Sequence, residues 1–390
     1  MMSIKLALRN LIGAGLRTWL NVAVLSFAFV VIIWHKGLLD GWHNQARTET
    51  IRWETGGGQL WHPEYDPYDP FTLEDSHGPL PEGMTRMVSD GQLTPLLITQ
   101  GTVYPSGRML NVLIKGIDPA QQIVAIPSSR LDTAIYTIPA VIGSNMATSA
   151  RLKKGDVVTL RWRDKNGAFD ASEVEIADVF RASVPSVDGG QLWIPLEKLR
   201  EMMLMPGEAT LMVMKQGAVP PEKPEGWVYK DNPTLLSELD EMIKTKTAGG
   251  SILWGILLLL ALLAVFDTQV LSIFRRQKEI GTCVALGMTR MQVVGLFTVE
   301  GAMHSVLAAI MGAIYGIPLL AFQSIKGLSF PVEGSDYGIA VPDVIYPVYS
   351  LKLVLTTILI VFLMTTIVSY WPSRKIARMR PTDALRGKAQ

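Results

Sequence analysis

One cysteine in 390 residues, Cys283, excludes an intramolecular disulfide, so any folded domain here is held by its own core. Charge is scarce too: charged residues make up 18% of the chain against 48% hydrophobic, a low share for a soluble protein of this length. There is no G-x-x-x-x-G-K-[ST] phosphate loop, no H-E-x-x-H helix and no G-x-S-x-G elbow. The five histidines (His35, His43, His62, His77 and His304) are not spaced with the cysteine as a zinc ligand set would be. The sequence thus offers no catalytic set, and energy-requiring work would need nucleotide hydrolysis in another polypeptide.

What the chain has instead is four uncharged apolar runs, Thr18–Trp34, Thr247–Phe266, Gly301–Ile325 and Leu353–Ser373. Each is near the ~20 residues an α-helix needs to cross ~30 Å of hydrocarbon, and a helix satisfies its own backbone hydrogen bonds there. They are split one-plus-three around about 200 polar residues. The expected fold is an α-helical membrane protein with four transmembrane helices and a large α+β domain between the first and the second.

Charge sets the orientation. Lys5, Arg9 and Arg17 precede the first run; Arg275, Arg276, Lys278 and Arg290 lie between the second and third; Arg374, Lys375, Arg378, Arg380, Arg386 and Lys388 follow the fourth. Only Glu279 and Asp383 oppose these thirteen cations, whereas the rest of the chain holds 23 basic and 33 acidic residues. The positive-inside rule makes all three basic segments cytoplasmic and the large domain external. The expected division is a cytoplasmic segment 1–17, helix 18–39, external domain with stalk 40–246, helix 247–274, cytoplasmic segment 275–292, helix 293–322, external loop 323–350, helix 351–373 and tail 374–390. A cleavable signal peptide is the competing account of the first run, but Leu38–His43 offers no convincing small-x-small site.

Between 40 and 246 the pattern changes to short strands and turns. Val158, Leu160 and Trp162 alternate with Thr159, Arg161 and Arg163; Asn166-Gly167 supplies a hairpin turn; Val174 and Ile176 alternate with Glu173 and Glu175. Further strands are expected at Leu96–Thr102, Met109–Lys115, Ala209–Met214 and Leu192–Ile194, and helices at Ser144–Leu152, Leu196–Met203 and Thr234–Ile243. The last helix carries an apolar stripe and runs into Gly249-Gly250, which suits a stalk or a helix packed on its own domain equally. The aromatic, proline-rich stretch Gly56–Pro81 contains His62, Glu64, Asp66, Asp69, Asp75 and His77, but in no tight metal-ligand spacing. It reads as a surface loop.

Ionisable residues in or beside apolar runs are expensive in lipid. Asp267, Glu300 and His304 are the candidates for polar contacts there, with Glu300 and His304 one turn apart on one helix face. Gly312 and Gly316 form a small-x-x-x-small pair suited to close helix packing, and Pro318 is expected to bend the outer end of that helix.

The segment Arg275-Arg276-Gln277-Lys278-Glu279-Ile280-Gly281, then Ala285-Leu286-Gly287-Met288, then Phe297-Thr298-Val299-Glu300-Gly301 resembles the signature of the FtsX-like permease family, the membrane subunits of MacB-type ABC transporters. The tail Trp371–Arg378 with Arg380–Arg386, and the start Leu6–Asn10 with Arg17-Thr18, are similar to that family's ends. Gly56–Tyr65 and Val112–Pro119 resemble the LolC/LolE lipoprotein-releasing branch more than MacB; Ile142–Ala150 and Lys154–Leu160 are shared by both. The first apolar run starts almost at Met1, which is expected to exclude the form with a fused ATPase.

The resemblance implies a membrane subunit of a type VII ABC transporter with a MacB-like external core, in the bacterial inner membrane, with both termini cytoplasmic. Its partners would be cytoplasmic ATPase subunits, which carry ATP and Mg²⁺, a second copy or a related permease, membrane lipids, and a periplasmic lipoprotein carrier or adaptor. No cofactor or nucleic acid is expected in this chain. Arg275, Arg276, Lys278, Glu279, Ile280, Gly281, Ala285, Leu286 and Gly287 would form the coupling segment, with Ile280, Val284 and Leu286 turned to a groove on the ATPase. Release of lipoproteins or other lipid-linked substrates is the implied activity. The alternatives are efflux of peptides, antibiotics or lipids with an adaptor, and signal transduction to an external hydrolase.

Overall fold

The computed structural model describes residues 15–132, 137–221, 226–329 and 344–374. Lys5, Arg9, the Leu6–Asn10 block, the tail beyond Arg374 and residues 330–343 of the external loop lie outside the described residues. The chain divides into two compact units. One comprises 1–42, 242–328 and 345–390, and the other 43–241 and 329–344.

Helix α1 runs Leu16–Thr50 and ends in a π-helical turn, Ile51–Thr55, closed by Gly56 at φ +56. Then come β1 (Gln59–Trp61), α2 (Glu82–Ser89), β2 (Leu93–Val103), β3 (Leu110–Ile117), β4 (Ile138–Gly143), α3 (Ser144–Ala150), β5 (Val157–Arg163) and β6 (Phe169–Phe180). β7 (Gln191–Pro195), α4 (Leu196–Met203), β8 (Leu211–Met214) and β9 (Val228–Lys230) complete that unit's main elements. The long helices follow as α5 (Ser237–Arg275), the short α6 (Gln277–Ala285), α7 (Arg290–Lys326) and α8 (Leu351–Arg374).

The nine strands form one sheet in the order β9-β1-β8-β2-β3-β7-β4-β6-β5. β5 also pairs back on β2, with Gly101 opposite Trp162 and Val103 opposite Leu160. The strands β2, β3, β7, β4, β6 and β5 therefore close into a six-stranded barrel, which removes two exposed edges. The β3–β7 and β4–β6 pairs are parallel. Alternation explains which faces turn inward: Val158, Leu160 and Trp162 of β5 are buried while the residues between them face out. They pack with Leu97, Ile114 and Ile176 in the barrel core. Gly101 is needed at the closure, where a Cβ would overlap the Ile114 side chain. In the β5–β6 hairpin, Gly167 adopts φ +83, and the Asp164 carboxylate accepts from the amides of Asn166 and Ala168.

The start of α3 explains the Ile142-Gly143 motif. Buried Asp188 accepts hydrogen bonds from the amides of Ser144 (2.8 Å) and Asn145 (3.1 Å) and from the Ser144 hydroxyl. An anion at a helix start is favoured by its unpaired amides. Gly143 leaves room for the Asp188 backbone, which a Cβ would overlap.

In the other unit, α1, α5, α7 and α8 are each long and apolar enough to cross a membrane. α1 is the most enclosed: 50% of its apolar window is buried, against 22–28% for the other three. Val22, Leu25 and Phe29 of α1 share a core with Leu258 and Val265 of α5, Ala308 of α7 and Val361 of α8. Small residues permit the close approach. A Cβ on Gly316 would lie 2.7 Å from Val30 Cγ2, and one on Gly312 would lie 3.4 Å from the Ser26 carbonyl. Gly250 of the expected Gly249-Gly250 junction lies inside α5, against the His35 ring of α1.

Candidate functional site

The link between α5 and α7 is built from two chain breaks. Arg276, at φ −101 and ψ 16, separates α5 from α6. Gly287, at φ +101, then reverses the chain in a region where only glycine is unstrained. Thr289 caps α7 through a capping box in which its hydroxyl accepts from the Gln292 amide and the Gln292 side chain accepts from the Thr289 amide. The Ala285–Met288 motif is thus a helix stop, a left-handed glycine and the approach to a new helix start.

Arg276 fixes the fold of this link. Its Nη1 donates to both carboxylate oxygens of Glu300, at 3.0 and 3.3 Å, and its Nε donates to Glu279 Oε2 at 2.7 Å. The guanidinium also lies 5.1 Å from the centre of the Phe297 ring. One cation thereby ties the start of α6 to the third turn of α7. Gln277 is buried beside it.

The expectation that Ile280, Val284 and Leu286 face a partner is corrected. Ile280 is 4% exposed and packs with Ile273, Val293, Val294 and Phe297, and half-buried Val284 joins that cluster. The physical reason is that α6 folds back on α5 and α7 and uses its apolar face as their core. Leu286 alone of the three is outward, at 83% exposed. Arg275, Lys278, Glu279, Ala285 and Gly287 are also exposed, whereas Gly281 is buried.

Among the intramembrane candidates, Glu300 and His304 do not pair through their side chains. His304 Nδ1 donates to the Glu300 backbone carbonyl at 3.2 Å, and the Glu300 carboxylate goes to Arg276. Asp267 is exposed on α5, and its neighbours make the helix contacts: Thr268 Oγ1 accepts from Asn21 Nδ2 of α1, and Gln269 is buried. Gln269 of α5 and Ser369 of α8 converge on Gly301, where a Cβ would overlap Ser369 Oγ and lie 3.2 Å from Gln269 Nε2. Sequence reasoning passed over Gln269 and Ser369. Their signal was a polar side chain inside an otherwise apolar helix.

The larger unit carries two further features. On α1 and α5, Asp240 accepts from His43 Nε2 at 2.8 Å and Arg47 Nη1 at 2.9 Å. Burial alone would raise the Asp240 pKa, but these two partners outweigh it and hold the carboxyl below its ordinary value. Lys115 of the Val112–Pro119 motif is buried, with Nζ 5.1 Å from the Trp193 ring centre, and burial lowers its pKa. In the Gly56–Pro81 stretch the polar side chains serve local turns. Asp66 accepts from the Tyr68 amide, Asp69 caps the turn at Phe71, and His77 pairs with Glu208.

Residues 251–381 match the model of a family described as FtsX-like permease C-terminal. The chain is 29% identical over 134 residues to an uncharacterized ABC transporter permease of Methanocaldococcus jannaschii, covering 34% of this chain and 31% of that protein. It is 24% identical over 176 residues to the macrolide export ATP-binding/permease protein MacB of Wolinella succinogenes, covering 45% of this chain and 24% of that protein. These matches therefore span a third or less of either relative. Among solved structures, the extracellular domain of the noncanonic ABC-type transporter YknZ from Gram-positive bacteria aligns with a TM-score of 0.27 and 12% identity, over 42% of this chain and 84% of that one. The chain carries an FtsX-like permease domain.

Proposed function

We propose that this chain is the membrane subunit of a type VII ABC transporter of the FtsX/MacB type, with its α5–α7 link seated on a separate cytoplasmic ATPase. The observation that carries the reading is the two-sided α6. Its apolar side is locked into its own chain by Ile280 and the Arg276–Glu300 pair, while Arg275, Lys278 and Leu286 stay exposed. A cationic rim around one exposed leucine suits an acidic, partly apolar docking surface. Movement of that surface during ATP hydrolysis would enter α5 and α7, helices of 39 and 37 residues, without being absorbed by a loose loop. In this reading both termini are cytoplasmic, the larger unit is external in the bacterial inner membrane, and the partner supplies ATP and Mg²⁺.

The test is the double charge reversal Arg275→Glu/Lys278→Glu in the reconstituted complex. Substrate-stimulated ATP turnover is expected to fall to the unstimulated level with the larger unit still folded. Unchanged stimulation would sink the docking assignment.

For the substrate we infer release of lipoproteins or other lipid-linked molecules at the outer face, with a second, related permease and a periplasmic carrier. The larger unit supports this with a cleft of about 720 Å³ bordered by Phe71, Arg161 and Phe169. Phe71 and Phe169 are both exposed at its border, and together they offer the cleft an apolar edge. Efflux with an adaptor is the second reading, favoured by the similarity to MacB. Identifying co-purifying proteins separates them: two permeases with acylated lipoproteins support release, whereas one permease with an adaptor supports efflux.

A further inference from the structure

A cavity of about 350 Å³ lies between α1, α7 and α8, bounded by Phe29, Ile33, Ala313, Ile317, Tyr349 and Ile358. Its lining is almost wholly apolar, and the small residues Ala309, Gly312, Ala313 and Gly316 form its α7 wall. The volume is roughly a dozen times the ~30 Å³ share of one water. An apolar groove of this size, open on one side, gives water too few partners, and left unfilled it forfeits dispersion contacts along its helix walls. It lies among helices long and apolar enough to span a bilayer, where the surrounding solvent is acyl chain.

The chemistry at one end of the cavity indicates the headgroup. Ile33 is followed one turn later by Lys36 on α1, Ser324 lies two residues before Lys326 on α7, and Tyr349 and Val354 flank Lys352 at the start of α8. Lys36 and Lys352 are exposed, Lys326 lies 5.6 Å from the Phe322 ring, and none of the three amines forms an ion pair among the described residues. With Asp40 one turn beyond Lys36 inside α1, the described charges flanking this end of the cavity are net positive. Three lysines at the external ends run against the usual bias of basic residues to the cytoplasmic side. Tyr349 closes this end of the cavity. Its ring packs on Gly37, and its hydroxyl is buried without a hydrogen-bond partner although the residue lines the cavity.

We propose that this cavity holds one acyl chain of an anionic phospholipid, with the phosphate among Lys36, Lys326 and Lys352. The lipid fills the gap along α7 and joins α1 to α7 and α8 at that end. This assignment goes beyond the transporter reading and does not depend on an ATPase.

The test is photolabelling of the full chain in vesicles with phosphatidylglycerol carrying a diazirine on its acyl chain, compared with phosphatidylcholine carrying the same chain. Phosphatidylglycerol adducts are expected to concentrate on peptides 309–324 and 349–358, about tenfold over phosphatidylcholine. The triple variant Lys36→Gln/Lys326→Gln/Lys352→Gln should bring the two lipids level at those peptides, with adducts on the exposed α5 residues Leu253 and Leu260 unchanged. Ala313→Phe should remove the cavity adducts. If that variant loses the α5 adducts as well it has not inserted, and the lysine variant, whose changes lie on the surface, decides. Equal labelling by both lipids in the wild type overturns the headgroup assignment, and adducts spread evenly over all exposed helix faces overturn the site.

Discussion

Removing the Arg276 guanidinium should unlatch α6, and the geometry sets how much. Arg276 serves two carboxylates that differ in exposure: the Glu279 side chain is 64% exposed and that of Glu300 is 7% exposed. An exposed pair is worth at most about 1 kcal/mol. Breaking a buried pair from one side strands a charge and costs about 3–5 kcal/mol. Arg276→Met should therefore lower the opening free energy of α6 by about 3–5 kcal/mol, and Glu279→Gln by no more than about 1. Amide exchange in 277–285, read by mass spectrometry, should accelerate from roughly 10²-fold to about 5 × 10³-fold in the first variant and a few-fold in the second. The double variant Arg276→Met/Glu300→Gln should recover most of the loss, because the stranded charge goes with its partner. Equal effects of Arg276→Met and Glu279→Gln, or no recovery in the double variant, would refute the argument that burial at Glu300 decides the energetics.

Other expectations rest on separate contacts. Gly301→Val should destabilise the helical unit by about 1–3 kcal/mol in detergent melts through overlap with Ser369, and adding Ser369→Gly should restore most of it; without rescue the contact is not the cause. Burial holds the Lys115 pKa below 10.5, so the unfolded chain binds the extra proton between that lowered value and 10.5. Stability of the barrel unit should then rise with pH through this window, and Lys115→Met should flatten the rise in denaturant melts followed by near-UV circular dichroism. Asp240 gives the same slope at acid pH, where the folded carboxylate is the stabilised form. Its lowered pKa contributes stability above the ordinary value of 3.8 that is lost as pH falls through the lowered one. Asp240→Asn should speed amide exchange in residues 43–50 at neutral pH by the few-fold expected of a partly exposed pair, with the difference from wild type shrinking in acid.

Much of the local structure was legible because its causes are local. Apolar runs without charge mark α1, α5, α7 and α8, since length and composition alone decide whether a helix suits hydrocarbon. The alternation in β5 and the hairpin at Asn166-Gly167 each express a preference of a few neighbouring residues. The candidate site was legible only as a segment. Which face of α6 turned inward was misread, because an apolar stripe reports that something covers it and not whether the cover belongs to the same chain.

By itself, the sequence determined where the chain prefers hydrocarbon and where several of its strands and turns lie, since these follow from residues within a few positions of one another, but Gly56–Pro81, read as a surface loop, holds β1 inside the sheet. Only the tertiary structure decided that β5 closes on β2, that Arg276 meets Glu300 at a separation of 24 residues, that Gln269 and Ser369 meet at Gly301, and that a cavity remains beside α1. Those outcomes depend on which distant surfaces compete best for each other, and no window along the chain contains both partners.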